Sequence, residues 1–186
     1  MRIVSGQYKG RPIQAPKTDA TRPTSDRARE SLFNILAHAD WAPDLEDARV
    51  IDLFAGSGAL GFEALSRGAA YCLFVETAPA ARGAIRSNIE ALGLFGVTRI
   101  HRRSAVALGD KPSGVGAGFD LAFIDPPYNK GLVAPCLQAL REGEWLAETA
   151  LVVVETAADE TVDVPDWTVL SERNIGAARI WFLMAA

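Results

Sequence analysis

Four consecutive residues in the second half of the chain combine hydrogen-bond acceptors with an aromatic ring. Asp125-Pro126-Pro127-Tyr128 follows an apolar run at 119–124 that predicts a buried strand. The prolines fix φ and remove two N–H donors, which leaves the Asp125 carboxylate, the Pro126 carbonyl oxygen and the Tyr128 ring to meet a ligand. Because α/β sheets place their sites at the carboxyl ends of strands, we interpret this loop as a cradle for an amino group.

An amino group on a nucleobase would need such a cradle to react. Its lone pair is delocalised into the ring, so it is a poor nucleophile. Two acceptors on its two hydrogens favour a pyramidal nitrogen that can attack a methyl sulfonium, and an aromatic ring can stack on the base. The base must leave its stack or pair to enter the pocket. The alternative is a rigid Pro-Pro turn in which Asp125 is hydrogen-bonded for structural reasons.

A second cluster is the glycine-rich turn between the predicted strand at 50–54 and the helix that follows it. Glycines with the spacing Gly56-x-Gly58-x-x-Gly61 permit positive φ and let a ligand approach the backbone. The pattern alone is weak, and a tight strand-to-helix turn without a ligand is the structural alternative. With a ligand, it fits either a nicotinamide dinucleotide or S-adenosylmethionine.

Two acids near this turn distinguish the two cofactors. Asp52 lies just before the turn, where a carboxylate can pair with a cationic amino-acid group but gains little from an anionic pyrophosphate. Glu76 ends the next strand and can accept hydrogen bonds from the ribose hydroxyls of either cofactor; its structural alternative is a solvated acid at a strand end. Asp52 therefore favours S-adenosylmethionine.

The rest of the chain supplies the elements that would position these loops. Short apolar runs alternate with helical patterns, and strands that are apolar on both faces indicate a parallel sheet covered on both sides. Two further runs near the C-terminus predict a closing antiparallel pair. We predict one α/β domain at 41–186 with a small N-terminal appendage at 1–40. The predicted strands span 50–54, 71–75, 97–103, 119–124, 150–155, 167–173 and 178–184, and two of the predicted helices span 79–92 and 131–141.

The N-terminal 36 residues are basic within an acidic chain. They hold seven Lys or Arg and three acidic residues, a net charge of +4, whereas the whole chain carries −4. A basic arm on an acidic body can engage phosphates locally, although uneven charge can also arise by chance. Within this arm, residues 3–14 predict a hairpin, and Thr24 is the predicted N-cap of a helix.

Three arginines flank or open this helix. Arginine offers a planar fork for a phosphate group or a base edge. Arg22 lies in an extended segment, while Arg27 and Arg29 lie in the first turns, where Asp26 and Glu30 can orient them by ion pairs. The alternative is a salt-bridged, solvated helix, because exposed ion pairs are common and weak.

The composition excludes several other classes of protein. With 49% hydrophobic and 23% charged residues, the chain is not a disordered one, and no apolar run approaches the roughly 18–20 residues that span a bilayer. The N-terminus lacks the apolar stretch of a signal peptide. Two cysteines and two histidines have no metal-ligand spacing. We therefore expect a cytoplasmic protein without a metal site or a membrane partner.

Three segments carry a resemblance to a known family: 22–34 (RPTSDRARESLFN), 52–68 (DLFAGSGALGFEALSRG) and 125–132 (DPPYNKGL). They are similar to the N-terminal signature, the cofactor loop and the catalytic loop of the bacterial 16S rRNA (guanine-N2)-methyltransferases of the RsmD type. The first segment is the most specific, because Asp-Pro-Pro-Tyr also occurs in other amino-group methyltransferases. The resemblance covers almost the whole chain and implies a Rossmann-like class I methyltransferase fold, with a mostly parallel seven-stranded sheet whose last strand is antiparallel.

The resemblance also implies an activity and its residues. The activity would be methyl transfer from S-adenosylmethionine to N2 of a guanine in 16S rRNA, by a monomer, on an assembled or partly assembled 30S particle. The catalytic residues would be Asp125, Pro126, Pro127 and Tyr128. The cofactor would contact Asp52, Phe54, Ala55, Gly56, Ser57, Gly58, Gly61, Glu76, Ser104 and Asp125. The RNA would contact Arg22, Thr24, Arg27, Arg29, Tyr128 and Lys130.

Two positions depart from the family pattern. Ser104 follows the third strand, where relatives often carry Asp or Asn to hold the amino group of adenine. Thr77 follows Glu76, where relatives often carry a second acid, so Glu76 would hold the ribose alone.

Two other functions stay open at this point. One is the same chemistry on another amine, adenine N6 or a protein glutamine. The other is a non-catalytic ribosome-assembly factor that retains the cofactor fold, which the intact Asp125 and Tyr128 disfavour. A second basic cluster around the third strand either flanks RNA or protects a sheet edge; it comprises Arg99, His101, Arg102 and Arg103.

Overall fold

The computed structural model describes residues 1–17 and 25–185. Within them, helices and strands alternate as the sequence predicts. The helices are α1 Asp26–His38, α2 Ala59–Ser66, α3 Pro79–Leu92 and α4 Val133–Glu142. The strands are β1 Arg49–Leu53, β2 Tyr71–Val75, β3 Thr98–His101, β4 Phe119–Ile124, β5 Leu146–Ala157, β6 Trp167–Ile175 and β7 Ala178–Ala185. No helix in these ranges is long and apolar enough to cross a membrane, and no group of three or more His, Cys, Asp or Glu there could hold a metal ion.

The strands join in one sheet in the order β3-β2-β1-β4-β5-β7-β6. Neighbours among β1 to β5 are parallel, whereas β7 runs antiparallel to both β5 and β6. Parallel neighbours need crossover connections, which α2, α3 and α4 supply for three of the pairs. The Rossmann-like sheet with an antiparallel last strand is therefore confirmed.

The structure corrects several predicted boundaries. β5 begins at Leu146 rather than at 150, because a register shift after Phe119 lets the partly polar stretch around Glu148 continue the strand. β3 is shorter than predicted. The N-cap of α1 is Ser25, whose hydroxyl accepts a hydrogen bond from the Ala28 N–H at 3.0 Å. Thr24, the predicted N-cap, lies outside the described residues.

Alternation along the strands divides the core into two layers. Val50, Phe123 and Val153 belong to the cluster that α1, α2 and α3 cover. Ile51 and Ile124 belong to the cluster on the opposite face, which α4 covers. Side chains two residues further along a strand return to the same face, so alternation decides which of the two layers the last side chain of each strand faces.

The N-terminal residues form the predicted hairpin as a loop with one β-bridge, between Arg2 and Pro12. Ile3 donates its N–H to the Arg11 carbonyl oxygen at 2.9 Å. Ile3 and Ile13 are 1% and 3% exposed and belong to the cluster under α1. This segment therefore packs on the core of the sheet.

Glu63 of α2 connects the N-terminal segment to two helices. Its side chain is wholly buried and accepts hydrogen bonds from the N–H groups of Val4 at 2.9 Å and Ser5 at 3.1 Å. It also forms salt bridges with Arg29 at 3.1 Å and Arg67 at 3.0 Å. A buried carboxylate is tolerated when its oxygens are fully hydrogen-bonded. Glu63 meets that condition only while the N-terminal segment, α1 and α2 all stay in place.

The buried position of Arg29 contradicts the prediction that this residue contacts RNA. Its side chain is wholly buried, and its guanidinium donates to Glu63, to Asp26 at 2.9 Å and to the carbonyl oxygen of Arg2. The helical pattern of α1 could not show that an acid of α2 lies opposite. Arg29 anchors α1 to the core and does not present its charge at the surface.

Replacing Glu63 by Gln should destabilise the fold strongly. The Gln amide would point its own N–H donors at the guanidinium groups and backbone N–H groups that now donate to the carboxylate. Loss of one partner of a buried ion pair lowers the free energy of unfolding by about 3–5 kcal/mol, measurable by urea unfolding at neutral pH. Glu90→Gln, on the exposed face of α3, is the matched control, with an expected change within about 0.5 kcal/mol. Equal effects of the two substitutions would contradict the role given to Glu63.

Candidate active site

Strand register brings the predicted loops to one edge of the sheet. Leu53 at the end of β1 pairs with Val75 of β2 and with Ile124 of β4. The glycine-rich turn, Glu76 and Asp125 therefore begin at the same height on strands that lie about 4.8 Å apart. The topology thus assembles one candidate site from three separate parts of the chain.

The glycine-rich turn depends on backbone that glycine adopts most easily. Gly56 has φ +60°, and the preceding Phe54 has φ +57°, a strained value of the kind that clusters at ligand sites. Gly61 serves packing instead: a Cβ there would lie 2.5 Å from the Phe74 ring and 2.6 Å from the Cys72 sulfur. The turn is buried, and Gly61 allows close contact of α2 with β2.

Glu76 is the acid that touches the turn directly. One carboxylate oxygen accepts a hydrogen bond from the Gly56 N–H at 2.8 Å, and the other accepts one from the Ala78 N–H at 2.9 Å. The side chain is only partly buried. Because each carboxylate oxygen can accept more than one hydrogen bond, Glu76 can hold the turn and still receive hydroxyl donors from a ligand.

Asp52 lies beneath the turn rather than at its surface. The residue is 1% exposed, and its carboxylate accepts a hydrogen bond from the Gly61 N–H at 3.1 Å. Burial raises the pKa of Asp52 to about 8; the Gly61 hydrogen bond opposes this shift, and the nearby charge of Glu76 adds to it. In this structure Asp52 stabilises the start of α2, and its contact with a cofactor stays a prediction.

Ser104 follows β3 in a tight turn of its own. Its hydroxyl accepts a weak hydrogen bond from the Val106 N–H at 3.4 Å, and its carbonyl oxygen accepts one from the Ala107 N–H at 3.0 Å. The side chain is partly exposed, so it is available to a ligand at this end of the sheet.

The Asp-Pro-Pro-Tyr loop starts at the end of β4. Asp125 is partly exposed, Pro126 is buried and Pro127 is exposed. Tyr128 is partly buried and packs against the cluster under α1. The packing of Tyr128 therefore holds its ring against the core, three residues after Asp125.

Glu160 ties the far end of this loop to β5. One of its carboxylate oxygens accepts hydrogen bonds from the Asn129 N–H at 3.0 Å and the Ala157 N–H at 3.2 Å. Sequence analysis missed Glu160, because nothing in the local pattern signals a partner 31 residues away.

Asp125 lines a cleft between α1 and the carboxyl-terminal parts of β4 and β5. A second carboxylate, that of Glu155, lines the same cleft. Among the residues that the structure describes, the rest of the lining is apolar: Ala28, Leu32, Leu60, Phe123, Ile124, Val153, Ile175 and Ile180.

Asn88 of α3 joins the N-terminal segment to the turn, and sequence analysis missed it. Its side chain, 1% exposed, accepts a hydrogen bond from the Gln14 N–H at 2.8 Å and donates to the Gln14 carbonyl oxygen at 3.0 Å. It also donates to the Ser57 carbonyl oxygen at 3.1 Å. The only sequence signal available was a polar residue on the buried face of a predicted helix.

The residues predicted to contact RNA differ in their exposure. Arg27 and Lys130 are exposed, whereas Arg29 is buried. Arg22 and Thr24 lie outside the described residues. The second basic cluster lies at β3, an edge strand of the sheet, so both of its interpretations stay open.

Asp52 should make stability depend on pH. The pKa of its carboxyl is raised to about 8 in the folded protein, whereas in the unfolded chain the group ionises near its ordinary pKa of 3.8. The folded protein therefore binds more protons in this window, and its free energy of unfolding falls as pH rises from 4 to 8. Asp52→Asn, neutral throughout, should reduce the slope by roughly 1 kcal/mol per pH unit in urea unfolding at pH 5 and pH 8. Identical slopes for both proteins would refute the raised pKa.

Comparisons with known proteins agree with this architecture. A family model described as Conserved hypothetical protein 95 matches residues 1–184. Ribosomal RNA small subunit methyltransferase D of Escherichia coli (strain K12) is 36% identical over 178 residues, which cover 95% of this chain and 85% of that protein. The solved structure of yhhF from Escherichia coli superposes with a TM-score of 0.82 at 34% identity, over 100% of this chain and 97% of that one.

A more distant structure shares the fold alone. The crystal structure of SMU.776 complexed with S-adenosylhomocysteine gives a TM-score of 0.59 at 18% identity, over 84% of this chain and 49% of that one. Together with the strand order, this likeness shows the Rossmann-like fold of methyltransferases. Because the family model spans nearly the whole chain and a relative is 36% identical over 95% of it, the chain belongs to the family of ribosomal RNA small subunit methyltransferase D, described as Conserved hypothetical protein 95.

Proposed function

We propose that this protein transfers a methyl group from S-adenosylmethionine to the exocyclic N2 of a guanine in 16S rRNA, on an assembled or partly assembled 30S particle. The observation that carries the proposal is the position of the Asp125 loop beside the glycine-rich turn, at neighbouring strand ends of a methyltransferase fold. Support for the RNA substrate comes from the family, whose Escherichia coli relative is named as a small subunit rRNA methyltransferase.

The residues around the turn fit the cofactor. Gly56 gives the turn its positive φ, Glu76 offers carboxylate oxygens to ribose hydroxyls, and Ser104 offers a hydroxyl to adenine. When bound, S-adenosylmethionine supplies a methyl group on a positively charged sulfur, which keeps the carbon–sulfur electron pair when the methyl leaves. The further contacts in this proposal are Asp52, Phe54, Ala55, Ser57, Gly58, Gly61 and Asp125.

Three groups of the Asp-Pro-Pro-Tyr loop prepare the guanine in this proposal. The Asp125 carboxylate and the Pro126 carbonyl oxygen accept the two N2 hydrogens, and the Tyr128 ring stacks on the base. Held in this way, the N2 lone pair leaves conjugation with the ring and can form the new nitrogen–carbon bond. One N2 hydrogen then departs as a proton to Asp125 or to water, so a strong base is not required. Pro127 stiffens the loop by fixing φ.

The basic side chains near the site position the RNA in this proposal. Arg27 and Lys130 are exposed and can meet phosphates, and Arg22 and Thr24 belong to the same proposed contact. Residues 1–40 thus act as the RNA-binding appendage of a methyltransferase domain at 41–186. We propose that the protein works as a monomer in the cytoplasm.

Methyl transfer to small ribosomal subunits from cells that lack this protein tests the reaction. Labelled S-adenosylmethionine should give N2-methylguanosine in 16S rRNA, identified by nucleoside analysis. Asp125→Ala removes one of the two acceptors on N2 and should lower kcat by roughly 100-fold or more. Asp125→Asn keeps an acceptor oxygen and should retain more activity than Asp125→Ala.

Asp159→Ala, at an exposed position after β5, is the matched control and should be fully active. Methylated adenosine in place of N2-methylguanosine would keep the chemistry and overturn the substrate. Cofactor binding without any methylated product would point to the assembly-factor function.

Arg27→Glu should weaken RNA binding without disturbing the fold, because the side chain is exposed. Loss of a phosphate contact should raise KM for the particle several-fold and reduce the salt dependence of binding by about one unit of slope. Arg86→Glu, exposed on α3, makes the same change of charge elsewhere. A KM increase of the same size for Arg86→Glu would show only a general effect of charge.

A further inference from the structure

We propose that Glu155 sets the base specificity of the reaction. Together with Asp125, it reads the Watson–Crick edge of guanine by accepting a hydrogen bond from N1–H while Asp125 accepts one from N2. The inference rests on the proposed function and names a specificity-determining residue for it.

The sheet places the two carboxylates side by side. In the parallel pair of β4 and β5, Phe123 aligns with Val153 and Ile124 with Val154. Asp125 and Glu155 occupy the next position of the same register, on strands about 4.8 Å apart. Phe123 and Val153 both face the α1 layer, so the side chains two residues later return to that face.

Both carboxylates line one cleft, and its other lining residues within the described part of the chain are apolar. α1 contributes Ala28 and Leu32, and the C-terminal hairpin contributes Ile175 and Ile180. Apolar walls exclude water and strengthen each hydrogen bond made inside, so polar groups in this cleft are suited to discriminate between ligands.

The two acids match guanine and oppose adenine. Guanine carries N1–H and N2–H₂ next to each other, which gives adjacent donors on one edge. Ionised carboxylates only accept. Adenine has a lone pair at N1 beside its amino group, so a carboxylate opposite N1 would face a second acceptor and remain unbonded. Sites that read a donor in this way reject analogues that lack it much more strongly than apolar pockets do.

A single substitution and a single base analogue test the inference. The analogue is 2-aminopurine, which keeps the amino group at C2 but has an N1 lone pair in place of N1–H. The substrates are small subunits assembled from 16S rRNA with guanine or 2-aminopurine at the methylated position, located by the nucleoside analysis above. The quantity compared is the ratio of kcat/KM for guanine to that for 2-aminopurine.

Wild-type protein should prefer guanine by about 10- to 200-fold, the range for one well-placed base contact. Glu155→Gln has nearly the same shape, and its amide can donate to the N1 of 2-aminopurine. We expect it to lower the ratio at least about 10-fold, with activity on 2-aminopurine maintained or raised. Glu148→Gln, at an exposed position of the same strand, should leave the ratio unchanged. The difference at C6 between the two bases is common to all variants and cancels in the comparison.

A fall in kcat/KM of equal size for both bases would overturn the inference, since it would show that Glu155 only supports the fold. Glu155→Asp provides a second variant: it keeps the carboxylate and should retain the preference for guanine, even where kcat is lower. Absence of N2-methylguanosine with the wild-type protein and unmodified subunits would instead refute the proposed function itself.

Discussion

The parallel register of β2, β1, β4 and β5 is the constraint on which the site depends. Leu53 pairs with Val75 and with Ile124, so β2, β1 and β4 end at the same height. Ile124 also pairs with Val154 of β5, which continues to Ala157. A shift of one residue in any pair would turn the side chains of that strand to the opposite face. The register therefore decides that the acids following these strands meet at one edge, and the helices serve mainly to hold it.

Acids gathered at one edge select the kind of ligand the edge can accept. Burial raises the pKa of Asp52 to about 8, and the charge of Glu76 adds to that shift. The Glu76 carboxylate already accepts hydrogen bonds from the N–H groups of Gly56 and Ala78, which offset part of its negative charge. A ligand that brings positive charge or hydrogen-bond donors would favour the ionised form of Asp52, whereas a polyphosphate would oppose it. The glycine pattern alone admits two cofactors, and in the proposed function the two acids favour S-adenosylmethionine.

The sequence predicted those features that depend on local pattern. The strands at 71–75 and 119–124 and the helix at 79–92 have their predicted bounds, because each apolar or helical run ends at an acid or a glycine. The loops of the proposed site begin at these strand ends, so their positions were predicted in the same way. What sequence could not show depends on distant partners: Glu63 lies opposite Arg29, 34 residues away, and Asn88 opposite Gln14, 74 residues away. Periodicity identifies the buried face of a helix, but not the residue that it meets there.

Those distant contacts join the N-terminal segment to the glycine-rich turn. Asn88 bonds the backbone of Gln14 and the carbonyl oxygen of Ser57, inside the glycine-rich turn. Glu63 bonds Val4 and Ser5 from α2, the helix that this turn opens. The basic N-terminal segment and the cofactor turn are thus held by one framework of α2 and α3. This framework fixes the position of the N-terminal segment relative to the glycine-rich turn.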